Sequence, residues 1–234
     1  GTSAAGVTPP PEYYPRIRKI CDSYDVLFIA DEVINGAGRT GKNFGIDHWG
    51  VVPDMITTGK GIGGGYAPLG AVIVHERIYQ AVAEGSGLFH HGFTYGGNPL
   101  SCAVGLAVLD YIEKNGLVER SARLGEVLLG ELSRLKEHSI GADVRGRGLL
   151  AGVELLADPL TKTPFPKEKG VAEMVEAAAA DRGLLTLPGT GDVDGISGDH
   201  ILLAPPFVIT EEQIVDLVNA LEEAIMEVEG KVIA

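Results

Sequence analysis

Apolar residues fall into short runs separated by glycine- and proline-rich turns, and their spacing predicts alternating strands and helices. The runs at 26–30 and 69–74 are continuous and rich in β-branched residues, so each is predicted to be a strand buried on both faces of a parallel sheet. Apolar residues recur at helical spacing over 13–24 and 100–114. This alternation is typical of an α/β domain.

The pattern changes after Asn115-Gly116, where an amphipathic segment with interleaved Glu and Arg predicts a surface helix over 117–135. Thr210 is placed to cap a last helix, with Gln213 at the capping-box position. We therefore expect a sheet domain over 1–116, and a connecting helix with a smaller α+β domain over 117–234. The further predicted elements are a strand with a bulge or turn (144–154), a helix (168–182), a strand (184–187) and a strand ending in a turn (200–210).

Composition limits the possible classes of function. The 234 residues suffice for one large or two modest domains, and 45% hydrophobic residues indicate a folded protein. A net charge of -13 argues against nucleic acid or an acidic membrane as partner. The two cysteines, Cys21 and Cys102, are too few for a disulfide framework, so we expect buried, reduced thiols and a cytoplasmic location.

Lys60 stands at the centre of the most informative stretch. Two threonines precede Gly59-Lys60, and five glycines follow within the next ten residues. Glycine permits close approach of backbone and positive φ, so this setting can hold the lysine amine against a bound molecule. The alternative is a mobile surface loop with a solvated lysine.

Asp31 falls where the predicted strand 26–30 ends. Ligands of open α/β sheets bind at the carboxyl ends of strands, so this carboxylate is a candidate anchor for a cationic ligand atom. The alternative is a turn former or helix N-cap.

Three other motifs resemble known phosphate-, nucleotide- or metal-binding patterns, but each departs from its pattern. The stretch 36–43 nearly spells a phosphate-binding loop, but Asn43 replaces the Ser or Thr that holds magnesium. The GxGxxG at 59–64 lacks a following helix, because Gly65 and Pro68 break it. His90 and His91 are adjacent and have no nearby carboxylate, so we expect no metal site there.

Asp31 at a strand end, Lys60 in a glycine-rich turn 29 residues later, and Thr94 in a further loop make a set. With this set the chain resembles the class III aminotransferases, which are pyridoxal 5′-phosphate (PLP) enzymes of fold type I. The resemblance implies that fold: part of a large, mostly parallel mixed sheet domain, then the smaller α+β domain. The matching stretches are Ile29-Ala-Asp31-Glu-Val33, Gly38-Arg-Thr-Gly41, Pro53-Asp54, Lys60 with its glycines, Pro68-Leu-Gly-Ala-Val, Thr94-Tyr-Gly-Gly-Asn-Pro99, Val144-Arg-Gly-Arg-Gly148 and Leu203-Ala-Pro-Pro206.

The resemblance also implies the role of each site residue. Lys60 would form the Schiff base with PLP and carry protons during the reaction. Asp31 would keep the pyridine nitrogen protonated, and Val33 would pack on one ring face. Thr94 would bind the cofactor phosphate of the neighbouring subunit, which implies a homodimer.

The match covers only the C-terminal half of a family member, so we expect residues upstream of Gly1 or a second chain, and no turnover by this chain alone. Leu202 stands where the ornithine branch of the family carries a carboxylate-binding arginine. The sequence looks more like the ω-amino-acid and amine:pyruvate transaminases, with an amine or ω-amino acid and a 2-oxo acid as substrates. Weaker candidates for the substrate channel are Arg147, Asp199 and His200.

Two alternatives remain open. The first alternative to an aminotransferase is a non-catalytic fragment that keeps the dimer surface. The second is another PLP enzyme of this class, such as an aminomutase.

Overall fold

The computed structural model describes residues 4–233, which form two compact units, 9–118 and 4–8 with 119–233. The helices are α1 (Tyr13–Ser23), α2 (Glu76–Glu84), α3 (Pro99–Lys114), α4 (Leu117–Leu132), α5 (Val171–Asp181) and α6 (Glu211–Val232). The strands are β1 (Ile29–Asp31), β2 (Met55–Thr58), β3 (Ala71–Val74), β4 (Gly141–Arg147), β5 (Leu150–Leu155), β6 (Leu187–Thr190) and β7 (Asp199–Leu203). Short 3₁₀ turns span Gly45–Trp49, Lys60–Gly63, Ser133–Glu137 and Lys167–Lys169.

The first unit contains a three-stranded sheet of order β1-β2-β3. β1 and β2 are parallel, with Asp31 opposite Thr57, and β3 runs antiparallel to β2. One face of the sheet packs on α1, because Tyr14 and Ile17 contact the cluster around Phe28 and Ala30. The sheet therefore has a buried face and an open face within this unit.

The expectation that both strand runs are buried on two faces is wrong within the described residues. Ile29 is 51% exposed and Val72 is 61% exposed. The physical reason is that α1 covers one face of β1, whereas all four residues of β3 remain exposed.

The second unit is a four-stranded antiparallel sheet of order β4-β5-β7-β6. Alternate residues of β5 and β7 form one core with apolar residues of α4, α5 and α6. Thr210 caps α6 and forms the predicted capping box with Gln213, since each side chain accepts the other's backbone N–H.

Several predicted elements differ in their bounds or exposure. The strand predicted at 184–187 begins only at Leu187, because Leu184 N–H still donates to Ala179 O at 2.9 Å and ends α5. The stretch 144–154 is a hairpin of two strands.

Cys102 is exposed and Cys21 half-buried, so the prediction of a buried thiol is wrong for Cys102. No described helix combines the length and apolarity needed to cross a bilayer.

Candidate active site

Asp31 and Lys60 lie at the carboxyl ends of two adjacent parallel strands. Asp31 is the last residue of β1 and pairs with Thr57 of β2. Lys60 follows β2 after Gly59 alone and begins the 3₁₀ turn Lys60–Gly63. The sheet thus brings together the two residues that the sequence selects, at the edge where α/β proteins bind ligands.

The backbone at Lys60 adopts a conformation that few non-glycine residues take. Its φ is 42°, in the left-handed region, which costs free energy for a residue with a Cβ. The glycines on either side allow close packing: a Cβ on Gly61 would lie 3.1 Å from Ala37 Cβ. The exposed Lys60 amine makes no hydrogen bond or ion pair with any described residue, so it is available to a ligand.

The Asp31 carboxylate is exposed and only partly occupied. Its Oδ1 accepts a hydrogen bond from Val33 N–H at 3.1 Å, the geometry of a local turn. Its Oδ2 has no hydrogen-bond partner among the described residues. Asp31 therefore serves as a turn former and still offers one carboxylate oxygen to a ligand.

Val33 connects the end of β1 to the segment of Lys60. It is half-buried, and its Cγ1 lies 3.6 Å from the position of a Cβ built on Gly59. An apolar side chain therefore lines the space next to the lysine.

Thr94 lies elsewhere, in the exposed loop before α3, and makes no hydrogen bond with the described residues. The loop ends at Asn98, whose Oδ1 accepts from Leu100 N–H and Ser101 N–H and caps α3. No described contact joins Thr94 to Asp31 or Lys60. Its role toward a neighbouring subunit stays a prediction.

Helix α3 supports the Lys60 turn from outside the sheet. Gly105 is buried, and a Cβ there would overlap Leu69 Cδ2 and lie 3.5 Å from Ile62 O. α3 therefore packs closely against Leu69 and the Lys60 turn at Gly105. Ala103 and Ala107 of the same helix are exposed.

Two buried carboxylates of the first unit were missed by sequence reasoning. Glu32 accepts Gly45 N–H and Ile46 N–H at 2.7 Å each, and burial raises its pKa. Asp54 accepts from Phe28 N–H and from Arg18 and Arg77, and these bonds hold its pKa well below the ordinary value. The available signal was an acidic residue directly beside an apolar strand run, where an unpaired charge is costly.

Arg39, in the loop between β1 and β2, is half-buried. Burial lowers the pKa of Arg39 to about 10, so this side chain remains a cation at neutral pH. Its motif, Gly38-Arg-Thr-Gly41, was noted in the sequence without a role.

The weaker substrate-channel candidates are differently placed. Asp199 is 3% exposed and accepts Ala172 N–H at 3.0 Å, at the first turn of α5. His200 is 2% exposed, with Nδ1 2.7 Å from Asp192 Oδ1. Arg147 is exposed. Burial thus explains Asp199 and His200 as structural residues of the second unit.

Comparison with known proteins identifies the family of the chain. The family model of class-III aminotransferases matches residues 2–225. The chain belongs to the class III aminotransferase family. The aminotransferases of this class are PLP-dependent enzymes.

Similar proteins are known in sequence and in structure. An uncharacterised aminotransferase of Bacillus subtilis, YodT, is 41% identical over 98% of this chain and 52% of its own length. A transaminase from the marine bacterium Virgibacillus superposes with a TM-score of 0.92 at 42% identity, over 97% of this chain and 51% of that chain. An (S)-enantioselective ω-transaminase from Thermomicrobium roseum gives a TM-score of 0.89 at 40% identity, over 96% and 48%. The structure therefore has the fold of PLP transaminases, and the chain spans about half the length of the curated relatives it matches.

Proposed function

We propose that this chain supplies the lysine-bearing part of a PLP-dependent aminotransferase. The reaction moves an amino group from an amine or ω-amino acid to a 2-oxo acid such as pyruvate. One observation carries the proposal. Lys60, whose amine has no partner among the described residues, and Asp31, which has one carboxylate oxygen without a hydrogen bond, lie at the carboxyl ends of two adjacent parallel strands.

The residues around these groups suit a pyridoxal group. The open oxygen of Asp31 is an acceptor for a protonated ring nitrogen, and the Lys60 amine is a nucleophile for an aldehyde. Val33 offers an apolar surface beside Gly59 for one ring face. When bound, the pyridoxal group would act as an electron sink for the bond broken at the substrate carbon.

Each residue of the chain then has a distinct task. Lys60 would hold the cofactor through its Nζ and would carry a proton at the same atom during the reaction. Asp31 would keep the ring nitrogen protonated by accepting its N–H. Thr94 would donate its hydroxyl to the phosphate held by a neighbouring subunit, so the active form would be a homodimer. We place it in the cytoplasm, where its two cysteines would stay reduced. Residues 1–116 belong to the cofactor-binding domain, and 117–234 to the connecting helix and small domain.

The choice of substrate rests on two features. Leu202, which replaces the arginine of the ornithine branch, is 4% exposed, so this position offers no cation for a substrate carboxylate. The similar structures include an ω-transaminase. Both favour an amine or ω-amino acid as amino donor.

The alternatives are a non-catalytic fragment and an aminomutase. Turnover by the purified 234-residue chain alone would contradict our expectation that it is inactive by itself. In the complete protein, a coupled assay of pyruvate conversion to alanine separates an aminotransferase from an aminomutase, which releases no external keto acid.

Borohydride trapping tests the assignment of Lys60. The chain is mixed with PLP, reduced and digested, and the labelled peptide is identified by mass spectrometry. We expect the label on Lys60, its loss in Lys60→Ala and its retention in Lys42→Ala, since Lys42 is an exposed lysine of another glycine-rich loop. A label that persists in Lys60→Ala, or an unlabelled wild-type chain, contradicts the proposal.

A further inference from the structure

Glu32 is a buried acid directly after Asp31, and its carboxylate is used entirely by backbone donors. It is 4% exposed. Oε2 accepts Gly45 N–H and Oε1 accepts Ile46 N–H, both at 2.7 Å. A carboxylate fits this pair of donors because it presents two acceptors, whereas an amide presents one acceptor and one donor.

The backbone of Glu32 joins two further segments. Its N–H donates to Thr57 O of β2 at 2.8 Å, and its carbonyl accepts Gly36 N–H at 3.0 Å. One residue therefore connects the end of β1, the end of β2, the turn at 32–36 and the 3₁₀ turn at 45–49.

Packing around this junction is tight. A Cβ on Gly36 would lie 2.7 Å from Glu32 O, and one on Gly45 would lie 2.9 Å from Asn35 Cβ. The backbone thus packs closely on the Glu32 carbonyl at Gly36 and on its carboxylate at Gly45, and glycine is required for space at both positions.

The same loop, 33–46, contacts Asp31 and Gly61, the residue that follows Lys60. At its start, Val33 N–H donates to Asp31 Oδ1. In its middle, Ala37 Cβ lies 3.1 Å from the position of a Cβ on Gly61, the residue after Lys60. A displacement of the loop would therefore change the orientation of Asp31 and the support of the Lys60 turn together.

We propose that Glu32 is a positioning residue that holds the loop 33–46 closed, and thereby sets the relation between the Asp31 carboxylate and the Lys60 amine. This inference rests on the proposed function, because that relation matters only if both groups hold the same cofactor. Glu32 itself has no free oxygen to offer a ligand.

The test uses Glu32→Gln and Glu32→Ala in the full chain, with Asp47→Asn as the matched control. Asp47 accepts Phe44 N–H at 2.9 Å in the same 3₁₀ turn but is exposed. Without added PLP, we expect hydrogen exchange at the amides of Gly45 and Ile46 to rise at least about ten-fold in Glu32→Ala, less in Glu32→Gln, and little in the control. Unchanged hydrogen exchange in Glu32→Ala would contradict the proposal that Glu32 holds the loop 33–46 closed.

The second measurement separates positioning from a purely structural role. After PLP is added, the pH at which the absorbance of the Lys60 adduct changes is titrated in each variant. We expect a shift of at least about one pH unit in Glu32→Ala, a smaller shift in Glu32→Gln and none in Asp47→Asn, because Asp31 no longer faces the ring nitrogen. If amide exchange is faster in Glu32→Ala but the pH titration of the Lys60 adduct does not shift, the positioning role of Glu32 is wrong, whereas the proposed function is unaffected. A wild-type chain that forms no adduct contradicts the proposed function. The exchange measurement, which needs no PLP, then still shows whether Glu32 holds the loop closed.

Discussion

At the scale of single residues, Asp54 shows how one carboxylate can connect several elements. It is 7% exposed and accepts hydrogen bonds from Phe28 N–H at 2.7 Å, from Arg18 Nη1 at 2.8 Å and from Arg77. These donors belong to the segment before β1, to α1 and to α2. The bonds outweigh burial, so the pKa of Asp54 lies well below its ordinary value of 3.8.

We predict that Asp54→Asn destabilises the first unit by about 2–3 kcal/mol at pH 7, because it leaves arginine charges without their shared carboxylate. A depressed pKa means that this stabilisation is complete above the unfolded-state pKa and is lost as pH falls below it. Wild-type stability should therefore decline below about pH 4, and the variant should lack that part of the decline. Urea unfolding at pH 7 and at acidic pH measures both effects.

Asp22→Asn is the control for this prediction. Asp22 also pairs with Arg18, at 2.7 Å, but its side chain is 64% exposed. We expect a loss below about 1 kcal/mol, as for other exposed ion pairs. Equal losses in the two variants would show that burial of Asp54 contributes nothing.

At the scale of elements, the start of α6 has a reciprocal cap. Thr210 Oγ1 accepts Gln213 N–H at 3.2 Å, and Gln213 Oε1 accepts Thr210 N–H at 3.0 Å. We predict that Thr210→Ala lowers the free energy of unfolding by about 1 kcal/mol, whereas Thr210→Ser retains most of it. Urea titration distinguishes the two. A serine variant as unstable as the alanine variant would indicate that the methyl group, not the hydroxyl, matters.

The contact of α3 with the Lys60 turn gives a prediction about site geometry. Gly105→Leu raises helix propensity by about 0.5–1 kcal/mol, but the new side chain would overlap Leu69 and reach toward Ile62 O. We expect a net destabilisation of about 1–3 kcal/mol and a slower rate of borohydride-trapped labelling at Lys60.

Ala107→Leu is the matched control, since Ala107 is exposed on the same helix. It should leave both stability and labelling near the wild-type values. Gly105→Ala should lie between, because the end of the Leu69 side chain can rotate away. If Gly105→Leu is labelled at the wild-type rate, the packing of α3 does not affect the geometry at Lys60.

Local signals explain which elements the sequence predicted well. The helix at Pro99–Lys114 and the capped start of α6 depend on short-range chemistry, namely Asn98, Pro99 and Thr210. The strand at 71–74 was predicted as buried, but burial depends on what packs against a strand, and apolar residues alone do not supply that. β6 was placed three residues early because Leu184 closes the helix before it.

Some residues of the candidate site could be predicted from the sequence and others could not. Asp31 and Lys60 were accessible to sequence reasoning because each follows an apolar strand run, and parallel strands end at the same edge. Glu32 was not, because its partners Gly45 and Ile46 are 13 and 14 residues away and only the folded loop brings them back. The role of Thr94 stays a prediction, since it concerns a neighbouring subunit.

At the scale of the whole molecule, the two units differ in how much apolar surface they bury. In the second unit, Leu124, Ile201, Leu221 and Ile225 are at most 1% exposed and belong to one core between sheet and helices. In the first unit, the core around Phe28 is small, and apolar residues such as Val72, Phe93 and Leu106 are 61–76% exposed. Burial is the main favourable term in folding, so the second unit should be the more stable.

Hydrogen exchange tests that difference directly. We predict slower exchange for amides of β5, β7 and α6 than for those of β1 and β2. Leu221→Ala should lower protection in the second unit by about 2–5 kcal/mol, because it opens a cavity among α6, its sheet and α5. Asp54→Asn should lower protection in the first unit alone, since its partners Arg18, Phe28 and Arg77 all lie there. Two separate cores then predict two separable responses, and equal loss of protection in both units from either variant would show instead that the chain unfolds as one cooperative body.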